Sequence, residues 1–158
     1  VGRSLRAAVN LKALGERTIT LDCDVLEADG GTRTASVTGA MVALALCLEG
    51  LRHKGLIQGP CLHALVAAVS AGMVHGHPLL DLNYVEDSAA AMDLNLVGTA
   101  RGDVVELQAT SEDAPVPRAA VDELVGLGLA GVAQLTALQR RVLHEAGVDL
   151  DGLLPPEI

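Results

Sequence analysis

A chain of 158 residues with one tyrosine, no phenylalanine and no tryptophan has few ways to fill a core. Aromatic side chains bury large areas, and this chain does without nearly all of that. Half of its residues are hydrophobic. The interior must therefore be built from Leu, Val, Ile and Ala, with Met41, Met73 and Met92 as fillers. The length suits one domain and a core that needs neither disulfides nor a structural metal. Stability is expected to be modest unless other buried surfaces, such as subunit contacts, add to it.

The formal net charge is −9. The only lysines are Lys12 and Lys54. Phosphate attraction needs clustered Lys and Arg, so the composition argues against a general nucleic-acid binder. Cys23, Cys47 and Cys61 are odd in number and form no CxxC pair. That usage suits a reduced, cytoplasmic setting. No uninterrupted apolar run is expected to reach membrane-spanning length. The opening Val1-Gly2-Arg3 carries neither Met nor a signal pattern and reads as the interior of a longer chain.

Periodicity divides the chain. Leu5, Ala8, Val9, Leu11 and Leu14 are spaced for a short helix stopped by Gly15. Residues 18 to 26 alternate β-formers with polar residues, which predicts a strand. Asp29-Gly30-Gly31 breaks it, and a long buried helix is expected to about Leu51, capped by Thr32 or Thr34. Residues 64 to 75 and 79 to 85 predict one hairpin, and Leu94–Thr99 with Val104–Ala109 a second. Helical spacing returns from Arg118 to about Glu145, followed by an irregular tail. The sum is a mixed α/β, α+β domain over 1–146, with a hairpin-built sheet packed against helices and a tail over 147–158.

The loop Glu27-Ala28-Asp29-Gly30-Gly31-Thr32-Arg33-Thr34-Ala35-Ser36 joins the predicted strand to the long helix. Gly30 and Gly31 let an anion approach the main chain closely. A helix start presents unpaired N–H groups and the positive end of the dipole. Thr32 and Thr34 add hydroxyl donors, and Arg33 adds a fork suited to phosphate. These are the parts of a phosphate cradle. They are equally the parts of a Gly-Gly turn with a Thr cap and a solvated Arg. The Gly-Lys-Ser/Thr ending of a P-loop is missing.

If residues 81 to 87 stay extended, Asp81, Asn83, Val85 and Asp87 face one way. Two carboxylates on one face suit Mg²⁺, which takes one or two carboxylates, waters and phosphate oxygens. Acidic residues beside a hairpin are also commonly just solvated. Glu86 points to the other face of an ideal strand, and Ser88 either binds phosphate or caps a turn. His75 and His77 flank a turn and are expected to be solvated. Cys23 is expected to be a small buried residue in mid-strand.

The run from Leu21 through Asp29-Gly30-Gly31-Thr32-Arg33-Thr34 to Ala40 resembles the signature of the ribonuclease PH family. The resemblance resumes at Ala67–Ser70, at Asp81-Leu82-Asn83-Tyr84-Val85-Glu86-Asp87-Ser88-Ala89-Ala90, at Met92–Val97 and at Val105–Thr110. These blocks lie in the family's order and cover most of the chain from Arg3 to about Arg141. Departures fall at Glu27 for a usual Gln, Asn83 for an acidic residue, Ala91 for a polar one, Ala109 for Gly and Val116 for an aromatic.

The resemblance implies the ribonuclease PH-like, ribosomal protein S5 domain 2-like fold. It implies a phosphate-dependent 3′-to-5′ exoribonuclease that trims RNA, transfer RNA 3′ ends by family expectation, releases nucleoside diphosphates and runs in reverse as a nucleotidyltransferase. Inorganic phosphate is the co-substrate and Mg²⁺ the cofactor. By resemblance, Gly30, Gly31, Thr32, Arg33 and Thr34 bind phosphate. Asp81 and Asp87 are the catalytic, metal-holding aspartates, with Asp87 moving the proton at the leaving oxygen. The expected partner is RNA, with neither DNA nor membrane, in a homo-hexameric trimer of dimers. The family's N-terminal portion is expected to be lacking, which accounts for the scarcity of basic residues and predicts weak or no activity of this chain alone on RNA. The rival reading is a non-catalytic ring subunit that scaffolds an RNA-degrading assembly. Such subunits lose the loop arginine or the aspartates, which this chain keeps.

Overall fold

The structure is a computed structural model that describes residues 1–112 and 114–156. The first helical spacing yields two helices, α1 (Gly2–Ala8) and α2 (Leu11–Leu14). They are separated because Val9 turns extended to bridge Leu62, and Asn10 accepts from Ala13 N to cap α2.

The strand predicted over 18–26 does not form: these residues have no assigned secondary structure. A strand's main-chain N–H and C=O groups need a partner strand, and among the described residues none lies alongside. The consequence reaches Cys23, which is exposed rather than buried. Leu26 stands 93% exposed.

Helix α3 (Thr32–His53) follows as expected, with Val37, Met41, Leu44, Ala45 and Leu48 buried at helical spacing. Its N-cap is neither threonine. Gly31 caps it in the left-handed conformation with no side-chain cap bond.

The sheet then builds as two hairpins. Strand β1 (Val66–Val74) pairs antiparallel with β2 (His77–Leu80) and with β3 (Ala90–Thr99), which pairs with β4 (Val104–Ser111), giving the order β2-β1-β3-β4. His75 and His77 are exposed at the first turn. Between β2 and β3 sits a short helix, α4 (Tyr84–Ser88). Helix α5 (Arg118–Glu145) runs as predicted.

Strand alternation assigns the two cores. Val66 and Ala68 of β1 and Val97 of β3 pack in the cluster with α3, while Ala67, Val69, Ala71, Met92, Leu94 and Leu96 pack with Leu124 and Val132 of α5. Gln139 joins the layers by donating from Nε2 to the carbonyls of Thr38 (2.9 Å) and Val66 (3.0 Å).

Just ahead of the irregular tail expected over 153–156, residues Leu150–Leu153 form helix α6, and Val148 and Leu153 bury in the α3 cluster. By length and composition α3 and α5 are each long and apolar enough to cross a membrane, although charged residues such as Arg33 and Glu49 in α3 and Glu123 and Arg140 in α5 interrupt their apolar runs. Here they pack against the sheet.

Candidate functional site

The two motifs singled out in the sequence meet in space. Asp29 Oδ1 accepts from the backbone N–H of Tyr84 (3.1 Å), a contact 55 residues apart in the chain. Gly30, at φ 86°, lies against the backbone of Leu82 and Asn83, and a Cβ there would fall 2.6 Å from the Leu82 carbonyl oxygen. Gly31, at φ 59°, leaves Asp81 Oδ1 3.9 Å from its Cβ direction. Both glycines hold the left-handed backbone that a side chain would resist.

The segment from Asp81 to Ser88 is not extended, so Asp81, Asn83, Val85 and Asp87 do not share one face. Asp81 itself is left-handed at φ 58°, which a short polar side chain tolerates. Ser70 of β1 holds this bend: its carbonyl accepts from Asp81 N (2.7 Å) and its hydroxyl from Leu82 N (3.0 Å). Asn83 then opens α4 with a reciprocal capping box, its side chain accepting from Glu86 N while Glu86 accepts from Asn83 N. Glu86, expected on the far face of a strand, is thus a cap. Ser88 donates to Val85 O (3.0 Å), closing its turn.

A cavity of about 410 Å³ opens between the start of α3, the end of β2 and α5. Gly30, Gly31, Thr34 and Asp81 line it. Thr34 is buried, and its hydroxyl donates to the Gly31 carbonyl (2.8 Å). Its contribution to an anion is therefore a backbone N–H, since the first turn of a helix leaves those donors unpaired. Thr32 lines a different groove, of about 620 Å³, bordered by residues 21 to 30.

The Arg33 side chain reaches across to β4. Its two terminal nitrogens donate to Glu106 and to Gln108 on β4. Glu106 and Gln108 share one face of β4, and Ser4 of α1 donates to the second Glu106 oxygen (3.2 Å). The Arg33 guanidinium holds the Glu106 carboxyl below its ordinary range, against the opposing effect of burial. In the sequence these two β4 residues stand out only as members of the Val105–Thr110 block. Their signal was the polar alternation of Glu106 and Gln108 about Leu107.

Asp87, on α4, has an acidic neighbour in Asp93 of β3. Burial raises the Asp93 carboxyl and the charges of Asp87 and Glu112 add to it. Asp93 and Asn95 stand partly exposed on the sheet face opposite Met92, Leu94 and Leu96. Asp81 and Asp87 are exposed, and neither is ion-paired among the described residues. No set of three His, Cys, Asp or Glu side chains comes together among the described residues. The donor chemistry nonetheless fits Mg²⁺, which needs only one or two unpaired carboxylates when phosphate and water complete its shell.

Known proteins resemble this chain. Residues 1–48 match the first domain, and residues 64–131 the second domain, of the 3′ exoribonuclease family. Ribonuclease PH of Syntrophomonas wolfei is 48% identical over 143 residues, 90% of this chain and 60% of that protein. Ribonuclease PH of Caulobacter vibrioides is 54% identical over the same shares. The chain thus spans about 60% of the length of these curated relatives. Among solved structures, rice (Oryza sativa) Rrp46 superposes with a TM-score of 0.57 at 19% identity, covering 76% of this chain and 51% of that one. At that identity the match concerns the fold alone.

Proposed function

Because this chain belongs to the ribonuclease PH family of 3′ exoribonucleases, we propose that the protein degrades RNA from its 3′ end by phosphorolysis. The observation that carries this reading is the junction of the Asp29-Gly30-Gly31 loop with the Asp81–Tyr84 bend. It sets a helix N-terminus, where phosphate is favoured, beside the exposed Asp81 carboxylate.

In this reading an oxygen of inorganic phosphate attacks the last 3′ phosphodiester. The bond from phosphorus to the preceding 3′ oxygen breaks, that oxygen takes a proton, and a nucleoside diphosphate leaves. The backbone at Gly30, Gly31 and Thr34, with Thr32 and Arg33, orients the attacking phosphate. Positioning and charge stabilisation supply most of the catalysis in such transfers. Asp81 and Asp87 would hold Mg²⁺, which when bound offsets charge on the phosphate oxygens. Asp87 moves the proton at the leaving oxygen. Transfer RNA 3′ ends as substrate, a hexameric ring of identical chains and a cytoplasmic setting belong to the same proposal.

The test is release of nucleoside diphosphate from a short RNA with a 3′ tail, with Mg²⁺, with and without inorganic phosphate. Phosphate-dependent release, weak from this chain alone, that Arg33→Ala and Asp87→Ala both remove is expected. Release of nucleoside monophosphates without phosphate would overturn the reading.

A further inference from the structure

Arg33 sits in the first turn of α3, yet its side chain crosses to a strand on the far hairpin. The crossing is built. Glu106 and Gln108 lie two residues apart on β4, each accepting from a different terminal nitrogen of Arg33. Ser4, a buried residue of α1, donates to the other oxygen of Glu106. The register sets Gln108 opposite Asn95 and Glu106 opposite Val97. The fork therefore lies on the sheet face that also carries Asp93, whose carboxyl feels the charge of Asp87.

A guanidinium has five N–H donors in a fixed plane. Two acceptors on separate nitrogens fix that plane and its rotation about the side-chain axis. They take two of the five donors and leave the rest for an anion. Arg33 remains 45% exposed, so those donors are reachable. A long side chain held this way loses less freedom on binding a ligand than a free one does.

We propose that Glu106 and Gln108, with Ser4 behind Glu106, are positioning residues that aim Arg33 at inorganic phosphate. The inference rests on the reading of Arg33 as a phosphate ligand. None of the three touches the reacting atoms; they act through the guanidinium.

The experiment is calorimetric titration of inorganic phosphate into the unmodified chain and into Arg33→Ala, Glu106→Ala, Glu106→Gln and Gln108→Ala, with thermal unfolding of each. The unmodified chain is expected to bind, and Arg33→Ala to lose binding. Glu106→Ala is expected to weaken binding about fivefold, the order set by a part-exposed ion pair. Glu106→Gln keeps an acceptor for the same N–H and is expected to restore affinity to within about twofold. Such rescue would not follow if Glu106 served the fold alone. Unchanged or tighter binding by Glu106→Ala would mark the carboxylate as a competitor of phosphate and overturn the proposal. A Glu106→Gln loss as large as that of Glu106→Ala, with unfolding unchanged, would also overturn it. If Arg33→Ala binds as well as the unmodified chain, or the unmodified chain does not bind, the phosphate reading itself fails. That result is separate from one in which only the Glu106 arms fail.

Discussion

The carbonyl oxygen of Leu82 occupies the space that a side chain on Gly30 would need, at 2.6 Å from the Cβ position. The contact is backbone against backbone, so nothing flexible can yield. Gly30→Ala meets this clash and also a left-handed φ of 86°. The expected cost is about 1–3 kcal/mol in stability, together with loss of phosphate binding, because the loop must part from the Asp81–Tyr84 bend. Chemical denaturation with phosphate titration checks both.

Gln139 is 2% exposed and ties α5 to Thr38 of α3 and Val66 of β1 through one amide group. Gln139→Ala removes two hydrogen bonds inside the core and leaves a void. The expected destabilisation is about 2–4 kcal/mol, read from the midpoint of urea unfolding. A change near zero would mean that the layers are held by aliphatic packing alone.

Glu49 is buried, accepts from Arg52 Nε (2.9 Å) and from the backbone N–H of Asp149 (3.4 Å), and lies 2.8 Å from His53 Nε2. The Arg52 hydrogen bond, chiefly, holds its carboxyl below the ordinary range despite burial. A carboxyl depressed by folding stabilises the fold above its unfolded pKa and loses that contribution as pH falls through the folded value. Unfolding free energy should therefore drop as pH falls through and below the ordinary glutamate range, with part of the drop missing in Glu49→Gln. Identical pH profiles for the two proteins would remove Glu49 from the account.

Two glycines on α5 should respond oppositely to alanine. Gly126 faces open space, so Gly126→Ala is expected to stabilise by about 0.5–1 kcal/mol through helix propensity. At Gly131 a Cβ would meet the Leu80 methyls at 3.0 Å and Val69 Cγ1 at 3.2 Å. Gly131→Ala is expected to forfeit that gain and to cost about 1–3 kcal/mol as α5 is pushed from the sheet. Thermal unfolding of the pair decides it.

Much of this protein was legible in one dimension. Helices α3 and α5 and both hairpins, the first with its second strand ending at Leu80 rather than running on to residue 85, follow from period and from turn residues, because those signals depend on neighbours a few positions away. The Asp29–Thr34 motif and the Asp81–Asp87 motif were likewise visible as local strings. The segment over 18–26 was misread for a related reason. Alternation shows what a chain segment is able to pair, whereas pairing itself requires a partner strand, and none lies beside it among the described residues.

What the sequence by itself determined is the aliphatic core, the mixed α/β class and the residue types of the site. Only the tertiary structure decided their arrangement. It bent Asp81 out of line with Asp87, turned Glu86 into a cap, sealed the Thr34 hydroxyl on Gly31 and carried Arg33 across to Glu106 and Gln108. Of these, only the Glu86 cap and the Thr34 bond join residues three apart. The others depend on which strand, helix or cavity faces a residue, and that follows from packing the two hairpins between α3 and α5.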